Sequence, residues 1–294
     1  MQLSSRIFGS TLGLLLGASM AASCYADVLA DIKGKQTLTI AYRDKTPPFS
    51  YIVKGKEPIG YAIDICDKVA EAIKKELKLP KLKVNYVPVD TDTRFTRIAK
   101  GEVHMECGTT SNTPEREKEF DFSIPYFFTT TRMLVRSDSG ILKWPDLKGK
   151  TVVATKGTST IKQIQTSGEL SLLKLKVIEG VDHVDSQKIL TSSKADAYLS
   201  QDVLLYFAKE ESANPNGWMV SGSPISASGY GILLAEDPKF KKMINTELGR
   251  MMLAGEIDTL YEKWFLRPIP PKNVNLKMSM HILLREIIRL PSSQ

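Results

Sequence analysis

Residues 106–116 (Glu-Cys-Gly-Thr-Thr-Ser-Asn-Thr-Pro-Glu-Arg) place a cluster of hydroxyl groups just ahead of one guanidinium group. Thr109 and Ser111 can offer hydroxyl and backbone N–H donors, and Arg116 can offer two N–H donors in one plane. Donors of these two kinds suit a carboxylate. An isolated arginine is more often a solvated surface charge, so the cluster ahead of Arg116 is the feature that favours a binding site.

Local signals predict how this segment is positioned. Residues 103–107 have the pattern of a buried strand, and Gly108 follows as a turn. Thr113 and Pro114 have the residue types of an N-cap and a first helical position. We therefore predict a helix from Pro114, with Arg116 one turn into it.

Strand and helix patterns alternate on both sides of this segment. In the first part of the chain, strands are predicted at 38–42, 84–87 and 103–107, and helices at 62–79 and 93–100. After an extended run at 126–135, strands are predicted at 151–154, near 177 and at 197–199, and helices from about 158 and 185. The alternation predicts an α/β fold with mainly parallel sheets, right-handed crossovers and a crevice beyond the carboxyl ends of the strands.

The second alternating unit interrupts the first. Residues 230–234 predict a strand, 238–253 a long amphipathic helix, and a shorter helix ends at 264–265; these elements return to the first unit. We predict two lobes, the second inserted into the first, with crossings near 129–131 and 221–226. Paired prolines in 269–273 end the second part of lobe 1. Beyond them, 279–290 predicts a short helix packed on its own lobe, in preference to a partner or membrane helix.

Residues 1–26 have the pattern of a cleaved secretory signal peptide. Arg6 precedes an uncharged stretch at 7–22, and 23–26 supplies small residues at the cleavage positions. A membrane anchor is an alternative that the short, glycine-broken stretch disfavours. Lipid attachment at Cys24 is a second alternative. The sequence predicts an exported, periplasmic protein.

Composition excludes several other classes. The chain has 294 residues, of which 42% are hydrophobic and 25% charged, with 3 Cys, so it is neither fibrous, nor disulfide-dense, nor broadly disordered. The net charge of +7 comes from scattered Lys and Arg residues and predicts no nucleic-acid partner. No Cys/His cluster or phosphate loop is present in the sequence, so we expect no metal and no cofactor. Cys66 and Cys107 remain after signal removal, either as a disulfide or as buried thiols.

Short segments along the whole mature chain resemble, in order, the periplasmic solute-binding proteins of family 3, which serve ABC-type polar amino acid importers. The glutamate/aspartate branch is the most similar. The matching segments are 41–43, 48–49, 60–61, 106–108, 147–150, 157–158, 182–183, 263–265 and 269–273. Each segment is weak by itself, whereas the ordered set is specific.

This resemblance implies the periplasmic-binding-protein type II (Venus-flytrap) fold. Lobe 1 would comprise 27–129 and 226–270, lobe 2 would comprise 130–225, and 271–294 would be a C-terminal tail. The resemblance also implies capture of L-glutamate or L-aspartate by lobe closure, delivery to an ABC permease in the inner membrane, and a monomer. Another polar amino acid or a dicarboxylate is the alternative ligand.

The resemblance assigns roles to the residues of the predicted carboxylate site. Arg116 and Ser111 would hold the α-carboxylate, and Thr109 would take part at the ammonium group. Thr158 and Thr160, at the start of the first helix of lobe 2, would complete the carboxylate cage on closure.

The resemblance to the acidic-ligand branch also implies a second, cationic pocket for a side-chain carboxylate, and the matching positions here are Arg43, Thr91, Arg94 and His183. Taken singly, the three basic residues have ordinary explanations as a strand-end charge, a helix-face charge and a neighbour of a helix N-cap. Their joint occurrence predicts selectivity for an extra negative charge, because a neutral ligand would leave buried cations unmatched.

One position departs from the family pattern. Family members usually place an Asp after the short strand of lobe 2, where it pairs with the ligand ammonium, and Gln201 stands at this position here. Either the backbone shifts to bring Asp202 in, or the amide oxygen of Gln201 serves, or the ligand lacks an α-amine.

An enzyme on the same fold, similar to cyclohexadienyl or arogenate dehydratase, is the rival hypothesis. Its proton chemistry would need His183, Glu106 or Asp202. We expect a binding protein without catalytic residues.

Overall fold

The computed structural model describes residues 27–55 and 57–291, so the predicted signal peptide, with Cys24, lies outside the described residues. The strands are β1 (Thr37–Tyr42), β2 (Lys45–Thr46), β3 (Ser50–Ile52), β4 (Pro58–Ile59), β5 (Lys83–Pro88), β6 (Met105–Cys107), β7 (Ser111–Asn112), β8 (Asp121–Phe122), β9 (Phe127–Arg136), β10 (Thr151–Thr155), β11 (Lys176–Gly180), β12 (Ala197–Gln201), β13 (Trp218–Tyr230) and β14 (Leu233–Leu234). The α-helices are α1 (Val28–Lys35), α2 (Tyr61–Glu76), α3 (Thr93–Ala99), α4 (Ser159–Thr166), α5 (Gly168–Ser171), α6 (His183–Thr191), α7 (Asp202–Glu211), α8 (Pro238–Leu253), α9 (Glu256–Tyr261) and α10 (Ile282–Arg289).

Two large sheets organise these elements. The sheet of lobe 1 has the order β5-β1-β6-β14-β8, and that of lobe 2 has the order β11-β10-β12-β9-β13-β7. β1 is parallel to β5 and β6, and β10 is parallel to β11 and β12. A small antiparallel sheet, β2-β3-β4, follows β1.

The expectation of mainly parallel sheets is correct only within the strand–helix–strand units. β9 and β13 are antiparallel to each other, and β14 is antiparallel to β6 and β8. The reason is the inserted lobe: the chain enters lobe 2 along β9 and returns along β13, and two such adjacent strands must run in opposite directions. The predicted crossings at 129–131 and 221–226 fall in this strand pair, where the register shifts between Ser221 and Ile225. The exact lobe boundaries stay a prediction.

Each lobe has an apolar core, and the core of lobe 1 also includes Val203, Leu204 and Phe207 of α7. In lobe 1, the apolar face of α2 packs with α8 and α9, and the rings of Phe49 and Phe265 lie 4.8 and 4.9 Å from that of Phe127. Leu284 of α10 is fully buried in the same core. In lobe 2, β10 and β12 bury apolar residues on both faces, which explains their uninterrupted apolar sequences.

Cys66 and Cys107 form a disulfide, with their Cα atoms 6.4 Å apart. Cys66 lies on α2, and Cys107 ends β6 directly before Gly108. The bond decides between the two alternatives that the sequence leaves open. It also ties the strand that carries the carboxylate-site segment to the main helix of lobe 1.

Candidate functional site

Most of the predicted site residues line one cavity between the lobes. The cavity measures about 10 Å³ and is lined by Thr91, Arg94, Thr109, Ser111, Arg116, Thr158, Ser159, His183 and Gln201. These residues follow the carboxyl ends of β5, β6, β10, β11 and β12, where ligands bind in α/β folds. A space of this size holds about one water molecule. An amino acid can therefore enter only after the two lobes separate.

Two guanidinium groups of lobe 1 reach across this cavity. Their Cζ atoms lie 4.8 Å (Arg94) and 4.9 Å (Arg116) from the centre of the Phe95 ring. Each donates an Nη2 hydrogen bond of 3.2 Å to the carbonyl oxygen of Gly157 in lobe 2, and Arg116 Nη1 donates to the Ser111 carbonyl at 2.8 Å. The ring fixes both guanidinium planes. A carboxylate placed here would accept the same donors more strongly than a neutral carbonyl does.

Gly157 allows the two lobes to approach. Its φ of +72° lies in the left-handed region, and a Cβ on it would lie 2.4 Å from Asp92 Oδ1 and 2.8 Å from the Thr91 carbonyl oxygen. A larger residue would be strained and would hold the lobes apart. At the rim beside it, Lys156 Nζ pairs with Asp92 Oδ2 at 2.9 Å. This pair is exposed, so it contributes little stability by itself.

Arg43 and Glu106 lie buried behind the cavity wall, with exposed fractions of 4% and 0%. A Cβ built on Gly108 would lie 2.4 Å from Glu106 Oε1 and 3.0 Å from Arg43 Cγ, so both side chains pack against this glycine. Thr110 Oγ1 donates to Glu106 Oε2 at 2.7 Å. Within the described part of the chain, Arg43 Nε and Nη1, Arg94 Nε and Glu106 Oε1 have no hydrogen-bond partner. Arg43 therefore lies behind the residues that line the cavity, whereas the resemblance implies that it contacts the ligand.

The three arginines are removed from solvent, and Glu106 is the negative charge that acts on all of them. Desolvation, aided by the charge of Arg116, lowers the pKa of Arg94 to about 9. Desolvation also lowers the pKa of Arg116 to about 10 and lowers the pKa of Arg43. All three remain protonated at neutral pH, and Glu106 opposes the shift at each. The lobe 1 side of the cleft therefore carries surplus positive charge, which favours an anion.

His183 begins α6 and adds no charge at neutral pH. Its Nδ1 lies 2.7 Å from the Tyr198 hydroxyl and 3.2 Å from Thr155 Oγ1. Desolvation of the ring, with the charges of Arg43 and Arg94, lowers the pKa of His183 to about 3, although part of the residue is exposed. His183 lines the same cavity as Thr91 and Arg94, as predicted, but with this lowered pKa the ring adds no positive charge there and can offer a carboxylate one N–H donor.

Neutral groups line the remaining lobe 2 side. Thr158 holds the N-cap position of α4, but its hydroxyl donates back to the Thr155 carbonyl at 2.6 Å. Gln201 Nε2 donates to Ser159 Oγ at 3.1 Å and to Thr160 Oγ1 at 3.3 Å. Ser159 lines the cavity, whereas the predicted Thr160 is buried behind it. The N–H groups of the first turn of α4 have no partner within the helix, so they can donate to a bound anion.

Asp202 contacts the hinge strand and does not line the cavity. Its Oδ1 accepts from Thr129 Oγ1 and its Oδ2 from Thr130 Oγ1, both at 2.6 Å. The carboxylate thus ties the start of α7 to β9, and the expectation that Asp202 meets a ligand ammonium is corrected. Gln201 ends β12 at the cavity instead. Its Oε1 lies 3.4 Å from Ser200 Oγ, a weak contact that leaves the oxygen able to accept from an ammonium group.

The helix predicted from Pro114 is only one 3₁₀ turn, Arg116–Lys118, and its N-cap is Glu115, not Thr113. The reason is that β7 pairs with β13 just before it and β8 rejoins the lobe 1 sheet just after it. The chain must leave one sheet and join the other within residues 113–120, and only the 3₁₀ turn forms there. Arg116 is oriented by the Ser111 carbonyl and the Phe95 ring, not by a helix.

Sequence analysis does not identify Phe95, Ser159 or Gly157 as site residues. Phe95 has an ordinary helical position beside Arg94, and nothing in its spacing indicates that two guanidinium groups stack on it. An error of one position at the start of α4 exchanges Ser159 with Thr160. A glycine directly between a strand and a helix was the available signal for Gly157.

Two further observations concern the described residues, 27–55 and 57–291. They contain no group of three or more His, Cys, Asp or Glu side chains that could hold a metal ion. None of their helices combines the length and the apolar character needed to cross a membrane.

Comparison with known proteins gives consistent matches over most of the chain. Residues 38–267 match the family model of bacterial extracellular solute-binding proteins, family 3. The chain is 38% identical over 282 residues to the L-glutamate/L-aspartate-binding protein of Pseudomonas aeruginosa, covering 95% of this chain and 93% of that protein. It is 32% identical over 287 residues to the glutamate/aspartate import solute-binding protein of Salmonella typhimurium, covering 96% and 95%. The solved structure of a mutant of ArgBP from T. maritima, at 23% identity, matches with a TM-score of 0.70 over 81% of this chain and 98% of that chain. This last likeness concerns the fold alone.

Proposed function

The chain belongs to the bacterial extracellular solute-binding proteins of family 3, and from this membership we propose that it captures an acidic amino acid and delivers it to an ABC importer. L-Glutamate and L-aspartate are the proposed ligands, as in the names of the P. aeruginosa and S. typhimurium relatives.

The surplus of buried positive charge supports an acidic ligand. Arg43, Arg94 and Arg116 share one buried carboxylate, Glu106, and some of their donors have no hydrogen-bond partner among the described residues. Glutamate brings two carboxylates to this cluster. A neutral amino acid would bring one, so it would leave buried donors unmatched and bind more weakly.

We assign the contacts of the ligand from the positions of the donors. Arg116 takes the α-carboxylate together with the Ser111 segment, and Thr109 and the Gln201 amide oxygen face the ammonium group. Arg94 takes the side-chain carboxylate, with Thr91 and the His183 N–H nearby and Arg43 behind. The start of α4, from Thr158, adds N–H donors on closure.

Closure follows from differential affinity. Arg94 and Arg116 belong to lobe 1 while Gly157 and Ser159 belong to lobe 2, so a ligand meets both sets only when the lobes are shut. The ligand therefore shifts the hinge equilibrium by its extra contacts in the closed state. A micromolar affinity corresponds to about 8 kcal/mol, which a few charge-assisted hydrogen bonds can supply after entropy and desolvation are deducted.

We propose the periplasm as the location, with residues 1–26 as the cleaved signal. The Cys66–Cys107 disulfide fits an oxidising compartment. We propose a monomer that binds without chemistry. Two of the candidate proton carriers fit catalysis poorly: the pKa of His183 is lowered to about 3 by desolvation, and the carboxylate of Asp202 is bonded to hinge threonines.

A ligand screen tests this function. The secreted chain is examined by thermal shift and calorimetry against glutamate, aspartate, glutamine, asparagine, arginine and succinate. We expect glutamate or aspartate to raise the unfolding midpoint most, because a ligand that binds only the folded state stabilises it. Tighter binding of a neutral or basic amino acid, or a chemically altered ligand recovered by mass spectrometry, would contradict the proposal.

A further inference from the structure

Glu106 is a buried charge that the assigned ligand contacts do not use. It lies in the middle of β6, opposite Ala41 of β1 on one side and Leu233 of β14 on the other, and none of it is exposed. Directly opposed residues share a face of the sheet. Ala41 and Leu233 belong to an apolar cluster, so the Glu106 carboxylate projects from an apolar sheet face. A carboxylate in such a place is costly unless nearby positive charge matches it.

The positive charge comes from the ligand site. Glu106 and Arg43 pack against the same glycine, because a Cβ built on Gly108 would lie 2.4 Å from Glu106 Oε1 and 3.0 Å from Arg43 Cγ. The negative charge of Glu106 also raises the pKa of each of Arg43, Arg94 and Arg116 against the effect of desolvation. It forms no direct ion pair with any of them in the described structure. Its Oε2 is fixed by Thr110, and its Oε1 has no partner among the described residues. Glu106 therefore acts on the cluster as a whole.

The cavity wall itself contains no acidic side chain among the described residues. Gln201, at the end of β12, lines the cavity and is neutral, and the Asp202 carboxylate is bonded to hinge threonines. Glu106 is the fully buried carboxylate whose charge acts on all three arginines, so it offsets part of the positive charge with which they attract a ligand.

We propose that Glu106 is a resident counter-ion that determines ligand selectivity: it stabilises the arginine cluster before binding and disfavours dicarboxylates that lack an ammonium group. The inference rests on the proposed function. Removing the charge of Glu106 strengthens attraction for every anion, and a ligand of charge −2 gains more than glutamate, whose net charge is −1. Glu106 thus favours amino acids over amine-free diacids of the same length.

The test compares glutamate with glutarate, which has the same two carboxylates and no amine. Wild type and Glu106→Gln are titrated with both ligands by calorimetry, and with glutamine as a neutral reference. We expect Glu106→Gln to shift the glutarate-to-glutamate affinity ratio toward glutarate by about tenfold. We also expect a lower unfolding midpoint without ligand, and a larger rise of the midpoint on adding glutarate.

Two control variants separate selectivity from stability. Glu106→Asp keeps the charge, so the ratio should stay within about threefold of wild type. Asp237→Asn removes another buried carboxylate of lobe 1, which caps α8 through the Lys239 and Phe240 N–H groups. It should lower the midpoint and leave the ratio unchanged.

An unchanged ratio in folded Glu106→Gln would overturn the proposal. If Glu106→Gln does not fold, the double variant Arg43→Met/Glu106→Gln decides, because it removes one cation together with the carboxylate. The counter-ion role predicts that this variant folds, and its failure to fold would also overturn the proposal. Failure of the proposed function is distinguishable, because wild type would then bind neither acidic ligand.

Discussion

The two sides of the cleft are built from different chemistry. Lobe 1 supplies full charges, from Arg43, Arg94, Arg116 and Glu106. Lobe 2 supplies neutral groups, from the Gly157 carbonyl, Thr158, Ser159, Gln201 and the uncharged ring of His183. Most of the electrostatic attraction for a ligand is thus present on one lobe before closure.

This difference has a structural basis. The charged side chains lie behind or beside β6, which the Cys66–Cys107 disulfide ties to α2 and the large core of lobe 1. A rigid, well-packed lobe can hold like charges close together at a cost that a mobile surface would relieve by rearranging. Lobe 2 contributes the N–H groups of helix N-termini and side-chain hydroxyls. Water can solvate these groups when the cleft opens, so their exposure costs little free energy. We therefore expect removal of a lobe 1 charge to change affinity or selectivity strongly, and substitutions in lobe 2 to have smaller effects.

Arg116→Ala should give the largest effect. It removes the donor assigned to the α-carboxylate, and truncating one partner of a buried charged pair costs about 2–5 kcal/mol, so the affinity for glutamate should fall about 100-fold or more. Calorimetry measures this loss. Lys118→Ala, an exposed change in the same 3₁₀ turn, is the matched control. Affinity retained within about threefold would remove Arg116 from the site.

Arg94→Ala should discriminate between ligands. We expect about 30-fold weaker binding of glutamate and about threefold weaker binding of glutamine, because only the acidic ligand places a second carboxylate on this donor. Arg97→Ala serves as the control, since Arg97 lies on the same helix and its contact with Glu102, at 3.8 Å, is exposed. Equal losses for the two ligands would argue against a separate side-chain pocket.

The contrast between the lobes also explains which site residues could be predicted from the sequence. The alternation of strands and helices placed the site segments at the carboxyl ends of strands, and the resemblance identified Thr91, Arg94 and Arg116, which line the cavity. These residues follow from local patterns and matched motifs.

Other features depend on contacts between distant segments. The charge of His183 depends on burial beside Arg43 and Arg94, and the orientation of Asp202 depends on threonines more than 70 residues away in sequence. The helix after Pro114 is lost because two strands flank it, although its N-terminal residue types favour a helix. Local propensity cannot register such constraints.

Gln201→Asp should have a smaller effect and should depend on the amine. A carboxylate at this position offsets part of the surplus positive charge and faces the ligand ammonium. We expect glutamate to bind about fivefold more tightly and glutarate about fivefold more weakly. Gln201→Ala, which removes the amide without adding charge, controls for the lost bonds to Ser159 and Thr160. Parallel changes for both ligands would mean that residue 201 does not face the ammonium group.

The pH dependence should show the smallest effect on binding. Because desolvation lowers the pKa of His183 to about 3, the ring stays neutral between pH 5.5 and 8, and glutamate affinity should change less than about twofold over this range. A protonated ring would attract an anion, so tightening of binding as pH falls through about 6.5 would show that His183 becomes charged.

The stability of the folded chain, unlike its affinity for glutamate, should fall as the pH is lowered. The pKa of His183 is lower in the folded chain than the ordinary value of about 6.5, so its contribution is complete above pH 6.5 and is lost as pH falls from there toward 3. His104, whose pKa burial also lowers, adds to this loss. Thermal unfolding of wild type and His183→Asn between pH 4 and 8 separates the two contributions, because the variant should lose less stability on acidification. The same slope in both proteins would assign the effect to His104 and other groups, and would leave the neutral character of the lobe 2 side to be tested by the binding measurement.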